Sequence, residues 1–133
     1  MLIETEGRKF YCENMQQQGR VYIFGGGHVS QALVPALAAV DFRCVVLEDR
    51  EEFSRAELFP GAEEVLLIEN SHIADYVTID ALDYVCIMTR GHKDDLAVQA
   101  QVLKTSAAYI GVIGSRHKKA GVFAKLKEQG FTE

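Results

Sequence analysis

Apolar residues in this chain come in short runs, and most of these runs are followed by a stretch with helical spacing. Val21–Phe24 is one such run, of strand length, and it stops at three glycines. Val29–Val40 then predicts a helix, with Pro35 inside it as a bend or a loosened turn. Asp41 begins the exit loop. The valine-rich Arg43–Leu47 predicts a second strand, closed by Glu48-Asp49-Arg50. Glu51–Phe59 fits a short helix or an irregular loop ahead of Pro60-Gly61. Glu64–Ile68 and Leu82–Met88 predict two further strands, and Asp94–Lys104 a helix with Leu96, Ala100 and Leu103 at its apolar positions. Tyr109–Ile113 predicts a fifth strand and Lys118–Gln129 a last helix, stopped at Gly130. Ahead of all these, Lys9–Glu13 predicts an extra edge strand and Gln16–Gly19 a polar turn.

Short apolar strands alternating with helices call for a parallel sheet covered on both faces. Right-handed crossovers then give an α/β, doubly wound, mostly parallel sheet in a single domain over 21–133, with 1–20 as an N-terminal edge segment and turn. A length of 133 residues allows one domain, and 48% hydrophobic content is enough for a core. The net charge of −5 argues against a general binder of nucleic acid or of membrane surfaces. The longest apolar runs, such as Ala36–Val40 and Val65–Ile68, are far too short to span a bilayer. The opening Met1-Leu-Ile-Glu-Thr-Glu lacks a basic start, so no signal peptide is expected. Cys12, Cys44 and Cys86 form no metal-binding spacing; Cys44 and Cys86 fall in apolar strand patterns, as buried thiols of a reducing cytoplasm would.

The chemistry begins at the glycines. Gly25, Gly26 and Gly27 with Ser30 form a G-x-G-x-x-S pattern between a strand and a helix. Gly25 allows a tight turn, Gly27 lets the backbone approach a pyrophosphate, and the helix start offers unpaired N–H groups and partial positive charge. Ser30 is small enough for close helix–strand packing. Glu48 follows about twenty residues on, where a carboxylate can accept ribose hydroxyls; Asp49 is the alternative, and a solvated strand end is the plain reading of Glu48.

Ligands of such a sheet bind beyond the carboxyl ends of its strands. There the sequence places Gly25-Gly-Gly-His28, Glu48-Asp49-Arg50, Thr89-Arg90-Gly91-His92 and Gly114-Ser115-Arg116-His117-Lys118. An acidic chain that gathers Arg90, His92, Arg116 and Lys118 along one edge is suited to an anion. Each has an ordinary role as well. His28 fits a first helical turn, Thr89 an N-cap, His92 and Asp95 an i,i+3 pair, and Gly114-Ser115 a packing turn. His72, alone in a polar loop, is expected in solvent.

The ordered segments Phe24-Gly-Gly-Gly-His28, Leu47-Glu-Asp-Arg-Glu-Glu-Phe53, Leu58-Phe-Pro-Gly-Ala62, Met88-Thr-Arg-Gly-His92 with Asp95-Leu96, and Tyr109-Ile-Gly-Val-Ile-Gly-Ser-Arg116 with Lys118 resemble the xanthine dehydrogenase accessory protein (XdhC/CoxI) family, in its C-terminal Rossmann-like domain. The resemblance runs from about Arg8 to Thr132. It implies a maturation factor for molybdenum hydroxylases that holds the molybdenum cofactor, assists its sulfuration and delivers it to the apo-enzyme, with a cysteine desulfurase as a further partner. The family's N-terminal domain and its cysteine motif have no counterpart here. The family domain also continues into another strand and helix beyond the point matching Glu133. A separate Rossmann-only member or a truncated piece is therefore expected.

In this reading Gly25, Gly26, Gly27 and His28 take the phosphate, Glu48 or Asp49 a ribose, and Arg90, His92, Ser115, Arg116 and Lys118 the anionic remainder. The ligand is a molybdenum cofactor or a dinucleotide such as NAD(P), and no catalytic residue is assigned. The rivals are an NAD(P)-dependent oxidoreductase, for which His92 is the one general-acid candidate, and a nucleotide-sensing regulatory domain. The apolar Phe10-Tyr-Cys12 and an incomplete sheet predict a homodimer.

Overall fold

A computed structural model describes residues 1–12 and 19–131, and at His92 the backbone alone. Five parallel strands form the central sheet: β3 (Arg20–Phe24), β4 (Arg43–Glu48), β5 (Glu64–Leu67), β6 (Tyr84–Ile87) and β7 (Tyr109–Val112), in the order β5-β4-β3-β6-β7. The chain winds from β3 out to β5, then crosses back to β6 on the other side of β3. The direction of winding therefore reverses between β3 and β6. Register brings Phe24 level with Leu47 and with Ile87, so the strands end together along one edge.

Parallel strands are buried on both faces, and the two faces have separate cores. Val21, Ile23, Cys44 and Val46 point to one side, under Val34 of helix α1 (His28–Ala39) and Phe59. Tyr22, Phe24, Val45, Leu47, Val85 and Ile87 point to the other, where Val98 and Val102 of helix α2 (His92–Val102) cover them with Ile73 and Ile79. Helix α3 (Arg116–Glu128) buries Val122 and Leu126. No helix is long and apolar enough to cross a membrane among the described residues.

Pro35 does not break α1. It lies on the exposed face, where its missing N–H costs least. The helix ends in a Schellman motif, with Phe42 N–H bonded to Leu37 O at 3.0 Å, Asp41 N–H to Ala38 O at 3.1 Å, and Asp41 at φ 67°. The segment open between helix and loop is two 3-10 turns, Glu51–Phe53 and Ala56–Leu58.

The expected edge strand is corrected. Arg8–Tyr11 (β2) is a strand, but it pairs antiparallel with Leu2–Thr5 (β1) in a separate hairpin and does not join the central sheet. Glu6 and Gly7, both at positive φ, make the two-residue turn between them. Glu13 and most of the expected 16–19 turn lie outside the described residues. Cys44 is buried, and burial with the Cys86 thiol nearby pushes its own thiol up to about 11.

Candidate functional site

The three glycines occupy the reversal between β3 and β6, and each does something different. Gly25 sits at φ 110°, and a Cβ there would lie 2.4 Å from the Met88 carbonyl oxygen. Only glycine satisfies both conditions. A Cβ on Gly26 would meet the Phe53 carbonyl oxygen at 2.6 Å. Gly27 is the N-cap of α1, with φ −74°, and a Cβ on it would meet nothing within 4 Å. The turn is thus closed from below and open above Gly27.

Side chains from α1 and β4 fix this loop. Ser30, fully buried, donates its hydroxyl to the Gly25 carbonyl, and Gln31 Nε2 donates to the Gly26 carbonyl at 3.1 Å. The Gly25 N–H goes to Leu47 O at 2.8 Å, and the Gly26 N–H goes to the Glu48 carboxylate. With these groups spent inside the loop, the N–H groups of the first turn of α1 remain. No cap side chain and no acidic residue occupies that end of the helix. A helix start in this state attracts an anion.

Glu48 is 2% exposed, so its carboxylate faces the loop. Its other oxygen accepts Arg50 Nε at 2.7 Å, and Arg50 lies over the Phe53 ring at 4.1 Å. Burial alone would push Glu48 up, but the hydrogen bonds from Arg50, Asp49 and Gly26 hold it below the usual carboxylate range. Asp49 goes the other way, raised by desolvation and by the carboxylates of Glu48 and Asp94. Of the two candidates for a ribose, Glu48 is the one built into the loop and Asp49 the exposed one.

Around the end of β6, Thr89 does not cap α2; Gly91, at φ 87°, is the N-cap. Thr89 instead donates its hydroxyl to Asp95, which is 1% exposed. The second Asp95 oxygen holds Lys118 Nζ at 2.7 Å, and the same ammonium reaches Thr89 O at 3.3 Å. Lys118 therefore ties α3 to α2 and to the Thr89 loop. Ser115 is the N-cap of α3, accepting the Lys118 N–H at 3.1 Å. His28, Arg90 and Arg116 are exposed, and neither arginine forms an ion pair among the described residues. The expected contact of His92 falls on a side chain outside the described residues, and the Asp95 oxygens go to Thr89 and Lys118. His72 is exposed, with Nδ1 2.9 Å from Ser71 Oγ.

Gly25, Leu47, Glu48, Asp49, Thr89 and Arg90 line a narrow cleft together with Asn70, a residue that the sequence pattern did not single out. Asn70 follows β5, whose end carries neither the glycine turn of β3 nor the arginines found after β4, β6 and β7. Among the described residues no group of three or more His, Cys, Asp or Glu side chains is placed to hold a metal ion.

Residues 21–133 match the family model described as the XdhC Rossmann domain. The chain is 28% identical over 119 residues to the uncharacterized protein YqeB of Escherichia coli strain K12, a match covering 86% of this chain and 21% of that protein. Among solved structures it is similar to a Bacillus halodurans protein named as a xanthine dehydrogenase, with a TM-score of 0.75 and 27% identity, over 80% of this chain and 32% of that one. The chain thus spans about a fifth and a third of the lengths of these two relatives. With the glycine loop at the sheet reversal and a family match across the whole sheet, the chain belongs to the XdhC family, as its Rossmann domain.

Proposed function

We propose that this chain is the cofactor-binding unit of a maturation factor for a xanthine dehydrogenase-type molybdenum hydroxylase. The observation that carries the proposal is the open start of α1 in a chain of this family. Gly27 presents no side chain to a ligand, and the loop behind it is already satisfied. Gly25, Gly26, Gly27 and His28 would hold the phosphate or pyrophosphate of a molybdenum cofactor. Asp49 is the better placed of the two carboxylates for a ribose. Arg90 and Arg116, with His92, would take further negative charge. The cofactor carries the redox metal of the hydroxylase; this chain would bind and orient the anionic tail. Lys118 and Ser115 serve better as supports, since the first is paired with Asp95 and the second caps α3.

The same loop suits the pyrophosphate of NAD(P), which keeps an oxidoreductase as the second reading. Mass spectrometry of whatever co-purifies with the chain separates the two. A pterin ligand, with activation of the apo-hydroxylase by the loaded chain, supports the maturation factor. Bound NAD(P) with turnover of NADH replaces it with the enzyme.

A further inference from the structure

Strand β7 ends the central sheet on one side, and among the described residues no strand pairs with its outer edge. Edge strands are commonly guarded by charge. At the other end of the sheet β5 opens on Glu64, directly after Glu63. By contrast β7 reads Tyr-Ile-Gly-Val and runs on into Ile113 without a charged residue. Both of its faces are apolar. On one, Ile110 and Val112 line a groove of about 470 Å3 with Leu103 at the end of α2 and Phe123 and Leu126 of α3. On the other, the Tyr109 ring lies over Gly111, and both Tyr109 and Ile113 are more than half exposed.

The N-terminal hairpin is the counterpart of this edge. Leu2 pairs with Tyr11 and Ile3 with Phe10, and alternation along the strands puts the two pairs on opposite faces. All four side chains are more than a third exposed, and none belongs to either core. A hairpin that is apolar on both faces is only half covered by lying flat on a surface. Added beside a sheet edge, it is covered on both. One pair then enters the groove under α3, and the other meets Tyr109 and Ile113. The lengths agree, since β1, β2 and β7 are four residues each.

We propose that the open edge of β7 receives the N-terminal hairpin of a second copy of this chain, and that the exchange is reciprocal. Leu2, Ile3, Phe10 and Tyr11 on one copy face Leu103, Tyr109, Ile113 and Phe123 on the other, each partly exposed in the single chain. A side chain of this size, half exposed, presents on the order of 100 Å2. Two such contacts bury roughly 1,600 Å2, the size of a stable complex, and one contact buries only half of that. Each copy carries both parts, so two contacts close a twofold dimer, whereas a one-way contact would run on as a filament.

Light scattering on the full chain and on two variants at micromolar concentration tests the exchange. The native chain is expected as a dimer. Phe10→Asp removes the donor and Phe123→Asp the acceptor, and each variant alone should dimerise at least about tenfold more weakly. An equimolar mixture of the two keeps one intact contact, so it should associate more strongly than either alone. Tyr109→Asp, on the other face of β7, should behave as Phe123→Asp does, and circular dichroism shows that each variant is folded. A native monomer of 14.8 kDa overturns the proposal. So does a folded Phe123→Asp chain that dimerises like the native one, which would place hairpin against hairpin. A mixture no more associated than its components overturns the exchange, and a mass that keeps growing with concentration overturns its closure at two copies.

Discussion

Gly25 and Gly27 lie two residues apart and differ in what a methyl group would meet. At Gly25 it meets the Met88 carbonyl, at a backbone angle that L residues avoid; at Gly27 it meets open space. Gly25→Ala should therefore cost at least about 2 kcal/mol of stability. Gly27→Val should leave stability within about 1 kcal/mol, yet weaken pyrophosphate binding at least about tenfold. Urea unfolding and calorimetry on the two variants check both halves, and equal stability losses would remove the distinction. Glu48 gives a pH signature. Its carboxyl is held low in the folded chain, so its contribution is present above the unfolded value, about 4.5, and is lost as pH falls through the depressed folded value. Asp49, raised, has the opposite sign: it opposes stability as pH climbs past about 4. In Glu48→Gln the acid limb between about pH 5 and 3 should flatten. Parallel denaturation curves for the variant and the native chain across that range would exclude the Glu48 contribution.

At the scale of elements, the pair of buried Asp95 with half-buried Lys118 joins α2 to α3, and Thr89 joins both to the site. Asp95→Ala leaves an ammonium and a hydroxyl without their partner, and should cost on the order of 3 kcal/mol. Adding Lys118→Met removes the uncompensated charge and should recover part of that loss; a double variant less stable than the single one would contradict the pair's role. This pair also shows where the sequence stops being legible. The inner strands of the central sheet could be read because burial on both faces writes them as apolar runs, as in Cys44-Val45-Val46-Leu47 and in Val85-Cys86-Ile87. Gly25 and Gly27 were legible because their pattern is local. Asp95 was not, since its spacing from His92 suggests a neighbour on the same helix while its salt-bridge partner lies on the next one. Asn70 left no signal at all: a lone polar residue after a strand gains meaning only when Gln101, far along the chain, fixes the loop around it. Leu2–Thr5 was missed because a strand exposed on both faces has no apolar side to write.

For the molecule as a whole, the sheet and its three helices enclose two cores, and the N-terminal hairpin contributes to neither. Leu2, Ile3, Phe10 and Tyr11 are 66%, 37%, 47% and 74% exposed. A two-stranded hairpin is marginal by itself in water, so its order is expected to depend on cover. A second copy of the chain is one such cover and would meet the expectation of a homodimer. Linkage then makes a specific demand. If association involves the hairpin, the thermal midpoint of the full chain must rise with protein concentration, because the dimer binds folded chains and not unfolded ones. Deleting residues 1–12 should abolish that rise and leave the midpoint at low concentration within about 2 °C, since no core residue is lost. Light scattering on the same two proteins supplies the masses. A full chain of 14.8 kDa with a midpoint independent of concentration rules the homodimer out. A large drop in midpoint for the deleted chain at every concentration would show instead that the hairpin stabilises the sheet of its own chain.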